Sequence, residues 1–161
     1  MDTRSSNISQ PANVKVLQYL SKLRPPAPVF ALWNSVPDPY TRCGCHPDIV
    51  GVLWDSVNSK LPADCRALVY GNPALVHPRG VIFAIGMGTW HGYRLPGILG
   101  TEAVKDGVKT TEKFGDSIVD IQARLGEDWY YGFLPSPGYR CADDAWCQLV
   151  YEMLDQEEGN D

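Results

Sequence analysis

Two histidines and two arginines flank one apolar segment of the chain, and these side chains are suited to anionic ligands. His77 and Arg79 precede residues 81–85, whereas His91 and Arg94 follow them. Antiparallel pairing around a strand at 81–85 would bring Arg79 near Arg94, where the two could clamp a carboxylate or phosphate. If the protein is an enzyme, His77, His91, Arg79 and Arg94 are its candidate catalytic residues for acid–base or hydrolytic chemistry.

Aromatic and hydroxyl side chains close to this group are candidates for a binding surface. The candidate binding residues are Thr89, Trp90, Tyr93 and Trp129, with Tyr131 as a further wall of the pocket. Two structural alternatives stay open. The aromatic rings can serve core packing, and each arginine can pair with one of the 19 acidic residues.

Cys43, Cys45 and His46 place three possible zinc ligands on one short segment, and Cys65 or His77 could be the fourth. Thiolate and imidazole are the ligands that zinc prefers, but structural zinc sites normally use two separated pairs of ligands. The second pair is absent here. The spacing therefore favours thiols over a zinc site, and zinc is kept as an alternative.

A cysteine nucleophile activated by histidine is a further alternative. Cys43 and Cys45 are the best placed, because they precede a predicted helix whose N-terminus could lower a thiol pKa. No motif marks such a pair, and buried cysteine also serves as a small apolar side chain. Gly86 and Gly88 follow a predicted strand, but the third glycine and the helix start of a dinucleotide-binding turn are missing.

The elements that must position these side chains predict an α+β fold. We expect a small, largely antiparallel sheet of about five strands, packed by about three to four helices. The predicted strands are residues 29–33, 65–70, 81–85, 89–95 and 128–134. The predicted helices are residues 13–23, 48–60, 117–125 and 142–157.

The segment around Asp106 and Gly107 allows two interpretations. Asp-Gly is typical of a two-residue hairpin turn. Alternatively, a short helix over 101–106 ends at Gly107 and a strand follows at 108–113, which we favour. Residues 135–138 are predicted to form a turn.

The chain of 161 residues is predicted to form one globular domain over 13–157. Residues 1–12 are predicted to be a disordered N-terminal arm, and 158–161 an acidic C-terminal end.

Composition and charge limit the partners. The net charge of −5 and the lack of a Lys/Arg run argue against nucleic acid. No segment approaches the roughly 18 apolar residues of a membrane span, and the N-terminus lacks the apolar core of a secretory signal. Five cysteines, an odd number, suit a reducing compartment. We therefore expect a cytoplasmic protein that uses neither a membrane nor nucleic acid.

Two classes of function remain. The favoured one is a small acidic binding or regulatory module that engages another protein, such as an immunity-like module that neutralises a basic toxin. The alternative is a small enzyme that acts on an anionic small molecule through the histidines and arginines, with or without a loop cysteine. The discriminating feature is whether these side chains share a concave site or lie apart in ion pairs.

Overall fold

The structure, a computed structural model, describes residues 4–22, 27–39, 43, 45, 50–51, 61–87, 90–105, 108–131 and 148–156. Several predicted features lie outside these ranges. They are His46, Thr89, the turn at 135–138, most of the predicted helix 48–60, and the first part of the predicted helix 142–157. For Trp90, only the backbone is described.

A six-stranded sheet, with every neighbouring pair antiparallel, organises the described residues. Its strands, in spatial order, are β1 Ala31–Leu32, β2 Arg66–Val69, β3 Asn72–Val76, β4 Ile82–Met87, β5 Trp90–Arg94 and β8 Trp129–Tyr131. A separate hairpin pairs β6 Thr111–Phe114 with β7 Ser117–Asp120. The predicted α+β class with a largely antiparallel sheet is thus confirmed, with six strands in the main sheet.

Helices precede the sheet in the chain, connect its strands and follow it. They are α1 Arg4–Asn7, α2 Val14–Leu20, α3 Ile98–Lys105, α4 Ile121–Leu125 and α5, whose described part is 148–156. Short 3₁₀ turns occur at Pro11–Asn13, Trp33–Ser35 and Ala63–Cys65. Among the described residues, no helix is long and apolar enough to cross a membrane.

The main sheet contains a strand, β3, that the sequence analysis did not predict. The sequence Gly71-Asn72-Pro73 is typical of a turn, but the turn consists of Tyr70 and Gly71, with φ of 47° and 79°. Two consecutive positive φ values define the tight hairpin turn that matches the twist of antiparallel strands. Because the turn uses only two residues, Asn72 already pairs with Val69, and β3 runs directly from it.

The predicted helix over 117–125 is wrong in its first half. Gly115, with φ of 62°, lies in a two-residue turn that pairs Phe114 with Ser117, so residues 117–120 form β7. The helix begins only at Ile121. Its N-cap is Asp120, whose carboxylate accepts hydrogen bonds from the backbone N–H groups of Gln122 and Ala123 at 3.0 and 3.2 Å.

Apolar side chains pack on both faces of the main sheet. One face carries Leu68, Leu75, Ala84 and Tyr93, which pack with α3 and α5, and the opposite face carries Ala67, Ala74, Ile85 and Trp129, which pack with α2 and α4. A register shift between Leu75 and Val76 marks a bulge against β4. Burial on both faces explains why β4 is apolar throughout instead of alternating.

Several of residues 4–13 pack against the sheet. Arg4 is only 3 % exposed and donates to the carbonyl oxygens of Asp64 and Val76 at 2.6 and 3.1 Å. Asn13 is at the predicted start of α2, but its side chain makes no capping bond. It donates instead to the Ile8 and Gly80 carbonyls, and accepts from the Ile82 N–H, which fixes the turn before β4.

Candidate functional site

His77 follows β3 and is completely buried. Its Nε2 lies 2.7 Å from Asp155 Oδ1, and its Nδ1 accepts the backbone N–H of Arg79 at 3.1 Å. Since Nδ1 is an acceptor, the proton of the neutral ring is on Nε2 and is donated to Asp155. Both ring nitrogens are therefore engaged, and His77 links the β3–β4 connection to α5.

His91 is the second residue of β5, pairs with Gly86 and is 5 % exposed. It shares a sheet face with Tyr93, whose ring centroid is 5.5 Å away in an edge-to-face arrangement. Within the described part of the chain, His91 Nδ1 has no hydrogen-bond partner. Burial lowers the pKa of His91 from 6.5 to about 4, so the ring is neutral at pH 7.

The two arginines line one cavity of about 100 Å³ near the ends of β4 and β5. Arg79 Nη1 donates to the Leu154 carbonyl at 3.3 Å, close to the C-terminal end of the described part of α5. Arg94 Nη1 donates to the Ala12 carbonyl at 3.0 Å, and its Nη2 is 3.6 Å from Asp128 Oδ2. The lining consists of Gln10, Ala12, Arg79, Val81, Arg94, Pro96, Val150, Met153 and Leu154.

A second cavity of about 240 Å³ shares Ala12 and Arg94 with the first. Lys15 adds a positive charge to its lining, while Glu127 and Asp128 add two negative charges. Neither His77 nor His91 is among the residues that line the two cavities. The four candidate catalytic residues are thus divided, with the arginines at the cavities and the histidines inside the packed structure.

Cys65 lies near His77 and Asp155, which gives the residue types of a Cys–His–Asp catalytic set. Cys65 precedes β2 and His77 follows β3, and the Arg66–Leu75 pairing brings these strand ends together. Cys65 is 0 % exposed, and burial, followed by the charge of Asp64, raises the pKa of its thiol to about 12. A protonated, inaccessible thiol beside a histidine with both nitrogens engaged does not form a nucleophile. The sequence does not reveal this cluster, because Asp155 is far from the other two residues in the chain.

The proposed zinc ligands are only partly described. Cys43 and Cys45 are each 9 % exposed, and Cys43 Sγ is 3.8 Å from the Cys45 carbonyl oxygen, which it contacts as a weak donor. His46 is outside the described ranges. Within those ranges, no three His, Cys, Asp or Glu side chains are grouped to hold a metal ion. Zinc binding at Cys43, Cys45 and His46 stays a prediction.

The aromatic candidates for the binding surface are mostly buried. Tyr93 and Trp129 are each 1 % exposed, and Tyr131 is 3 % exposed. The two rings on β8 belong to the apolar core beside α4, although Trp129 also reaches the lining of the larger cavity. Their described surroundings match the core-packing alternative of the sequence analysis.

The β6–β7 hairpin presents an exposed surface that the sequence analysis did not identify. Ile118 is 73 % exposed, and its cross-strand neighbour Lys113 is also exposed. On the other side of the hairpin, Val119 is buried, and the Tyr131 hydroxyl donates to its carbonyl at 3.2 Å. The alternation of SIVD was the available signal, since it places Ile118 and Val119 on opposite faces of a strand.

Comparisons with known proteins gave no relatives: no protein-family model, curated protein sequence or solved structure matches this chain.

Proposed function

We propose that the protein is a small acidic module that binds another protein through its β6–β7 hairpin. The observation that carries this proposal is the 73 % exposure of Ile118 on a hairpin anchored by the buried Val119. In the described part of the chain, β6 and β7 pair only with each other. A partner could therefore cover Ile118 and also extend the hairpin by backbone hydrogen bonds.

The negative charge of the chain indicates that the proposed partner is basic. The chain carries a net charge of −5, and Asp116 and Asp120 lie two residues before and two residues after Ile118, whose cross-strand neighbour is Lys113. Acidic surfaces accelerate encounter with basic partners and disfavour acidic ones. A basic protein with an apolar recess for Ile118 fits this surface, and a basic toxin that the module neutralises would be such a partner. A cytoplasmic setting belongs to the same proposal, because an odd number of cysteines suits a reducing compartment.

Binding is favoured over catalysis by the positions of the residues that an enzyme would use. His77 has both ring nitrogens in hydrogen bonds, and His91 is buried on the sheet face. Cys65 is a buried thiol with a raised pKa. General acid–base catalysis needs a titratable group within reach of substrate, whereas these three groups are buried in the packed structure.

The test compares two exposed isoleucines of one chain. Ile118→Ser removes the apolar side chain from the hairpin, and Ile98→Ser is the matched control, because Ile98 is 71 % exposed on α3. Wild type and both variants are immobilised and exposed to cell lysate at low and high salt. We expect a basic protein that is retained by wild type and Ile98→Ser, lost with Ile118→Ser, and released by salt. A retained partner that responds equally to both substitutions would place the interface elsewhere.

A further inference from the structure

The two edges of the β6–β7 hairpin differ, and the backbone hydrogen bonds of the hairpin show how. The Ile121 N–H donates to the Thr110 carbonyl at 3.0 Å, in the same register that pairs Lys113 with Ile118. In an antiparallel ladder, pairs that exchange hydrogen bonds alternate with pairs that do not. Lys113 and Ile118 lie three positions further along, so they form a pair that does not exchange bonds. Their backbone N–H and C=O groups therefore point outward, to the two opposite edges of the hairpin.

The outer edge of β6 is already engaged. The Lys113 N–H donates to the side-chain carboxylate of Glu112 at 3.2 Å. Just before β6, the Lys109 carbonyl accepts the Tyr131 N–H at 3.0 Å, which joins this side of the hairpin to β8. A strand added to β6 would have to displace or avoid these contacts, so this edge is not the favoured one.

The outer edge of β7 is exposed around Ile118. Ser117, Ile118 and Asp120 are all exposed, and the Ile118 side chain is 73 % exposed. Among the described residues, β7 pairs with β6 and with no other strand. An unpaired edge of this kind is a template for strand addition, in which backbone hydrogen bonds and an apolar side chain act together.

The charges beside Ile118 indicate which segment this edge favours. Asp116 and Asp120 lie two residues to either side of Ile118, and both are exposed. Asp120 also caps α4 through Oδ1, which does not remove its negative charge. In an antiparallel strand on this edge, the residues two positions from the one opposite Ile118 would face these acids. Lys113 is on β6 and lies one strand further away, about 10 Å from an added strand.

The same charges disfavour a second copy of this chain on the edge. Two β7 edges that pair about Ile118 would place Asp116 of each copy opposite Asp120 of the other. Like charges directly opposite each other destabilise a sheet. The favoured occupant is therefore a segment of a different protein.

We propose that the partner adds an extended segment antiparallel to the outer edge of β7, with an apolar residue opposite Ile118 and a basic residue two positions away on each side. The strand pairing rests on the proposed binding of a protein through the hairpin, and it specifies what the partner supplies. The antiparallel direction is that of every strand pair the structure describes. It is also slightly more stable per residue than the parallel one.

The test on the unmodified chain uses a synthetic peptide, Thr-Lys-Thr-Val-Thr-Lys-Thr, with both ends blocked. The full chain, labelled with ¹⁵N, is titrated with this peptide and its backbone amide signals are followed by NMR. We expect the Ile118 N–H signal to shift and saturate, because this group gains an acceptor, while the Lys113 N–H signal stays in place. A peptide with glutamate at both lysine positions should bind far more weakly.

Methylation of the peptide backbone separates strand pairing from binding by side chains alone. N-methylation of the valine removes the N–H that would donate to the Ile118 carbonyl, and should weaken binding by about fivefold or more. N-methylation of a neighbouring threonine is the matched control, because its N–H points away from β7. This control peptide should bind as the unmodified one does.

Variants of the chain then test the charge pattern. Asp116→Asn should weaken binding of the lysine peptide by about twofold to fivefold, as expected for an exposed ion pair. Glu102→Gln is the control, because Glu102 is an exposed acid on α3 whose neighbour is Lys105. It should leave the titration unchanged.

Equal binding of the two methylated peptides, or no saturation at Ile118 with the lysine peptide, would overturn the strand pairing. So would a dimer of the chain, detected by analytical ultracentrifugation, that the peptide dissociates, because a second copy would then occupy the edge. If a basic partner still depends on Ile118, protein binding through the hairpin stands and only the strand pairing fails. If neither peptide nor partner depends on Ile118, both proposals fail.

Discussion

Acid should destabilise this protein through His91, whose ring is buried and neutral. The unfolded chain takes up a proton at His91 near pH 6.5, whereas the folded chain does so only near pH 4 because of burial. Between these values the unfolded state binds more protons, so the free energy of unfolding falls as pH falls. Above pH 6.5 the protein keeps the full free energy of unfolding that the neutral His91 ring allows. This contribution of His91 is lost progressively from there down to about pH 4.

The magnitude follows from the two pKa values. Each pH unit over which the two states differ by one proton changes the free energy of unfolding by about 1.4 kcal/mol. Over the whole interval from 6.5 to about 4, the loss is about 3 kcal/mol. Between neutral pH and about pH 5, about 2 kcal/mol should be lost, which is a large part of the stability of an ordinary domain.

The perturbation that isolates this effect is His91→Met, which replaces the ring with an apolar, non-titrating side chain of similar size. At neutral pH the variant should be as stable as wild type or more stable, because it removes a buried nitrogen with no hydrogen-bond partner among the described residues. Urea unfolding of both proteins at about pH 7.5 and about pH 5 gives the comparison. Wild type should lose about 2 kcal/mol more than the variant between these conditions.

Two outcomes would refute the reasoning about His91. If both proteins lose the same stability on acidification, the loss comes from groups common to both and not from His91. If the NMR signal of the His91 ring in wild type titrates near pH 6.5, the ring is not protected from protonation as its 5 % exposure requires.

Two further predictions concern the cluster of His77, Asp155 and Cys65. Asp155→Ala should destabilise the protein by about 1–3 kcal/mol, because it leaves the buried His77 Nε2–H without its acceptor at 2.7 Å. Urea unfolding measures the change, and Glu152→Ala, at an exposed position of the same helix, is the control. Equal stability of the two variants would refute the prediction. Cys65 should react with a thiol reagent only after unfolding, since it is 0 % exposed and burial raises the pKa of its thiol to about 12. Mass spectrometry of labelled peptides checks this prediction. Rapid labelling of Cys65 in the native protein would contradict it.

Local patterns in the sequence were enough to find much of the sheet. The apolar run at 81–85 became β4, since a strand buried on both faces needs no polar alternation. β3 was not predicted because the turn between β2 and β3 has Tyr70 at a positive φ, a conformation that residues with large side chains rarely adopt. β7 was not predicted because Asp116, a residue type that often caps helices, precedes the predicted helix 117–125, whereas the N-cap in the structure is Asp120.

The candidate site could be predicted only in part. Antiparallel pairing correctly indicates which strand ends meet, and Arg79 and Arg94 do line one cavity. Successive side chains of a strand alternate between its two faces, so residues three apart, such as His91 and Arg94, point to opposite faces. This alternation explains why His91 is separate from Arg94. The pairing of His77 with Asp155 could not be predicted, since it depends on how α5 packs against the sheet. The burial of Arg4 has the same origin in long-range packing.

We propose that the β6–β7 hairpin binds a basic protein partner through Ile118. The most direct measurement is the dissociation constant of that partner, once recovered, for wild type, Ile118→Ser and Ile98→Ser. Burial of an isoleucine side chain contributes about 1.5–3 kcal/mol, so Ile118→Ser should weaken binding by about tenfold or more. Ile98→Ser should bind as wild type does. Equal affinities of wild type and Ile118→Ser would contradict the claim.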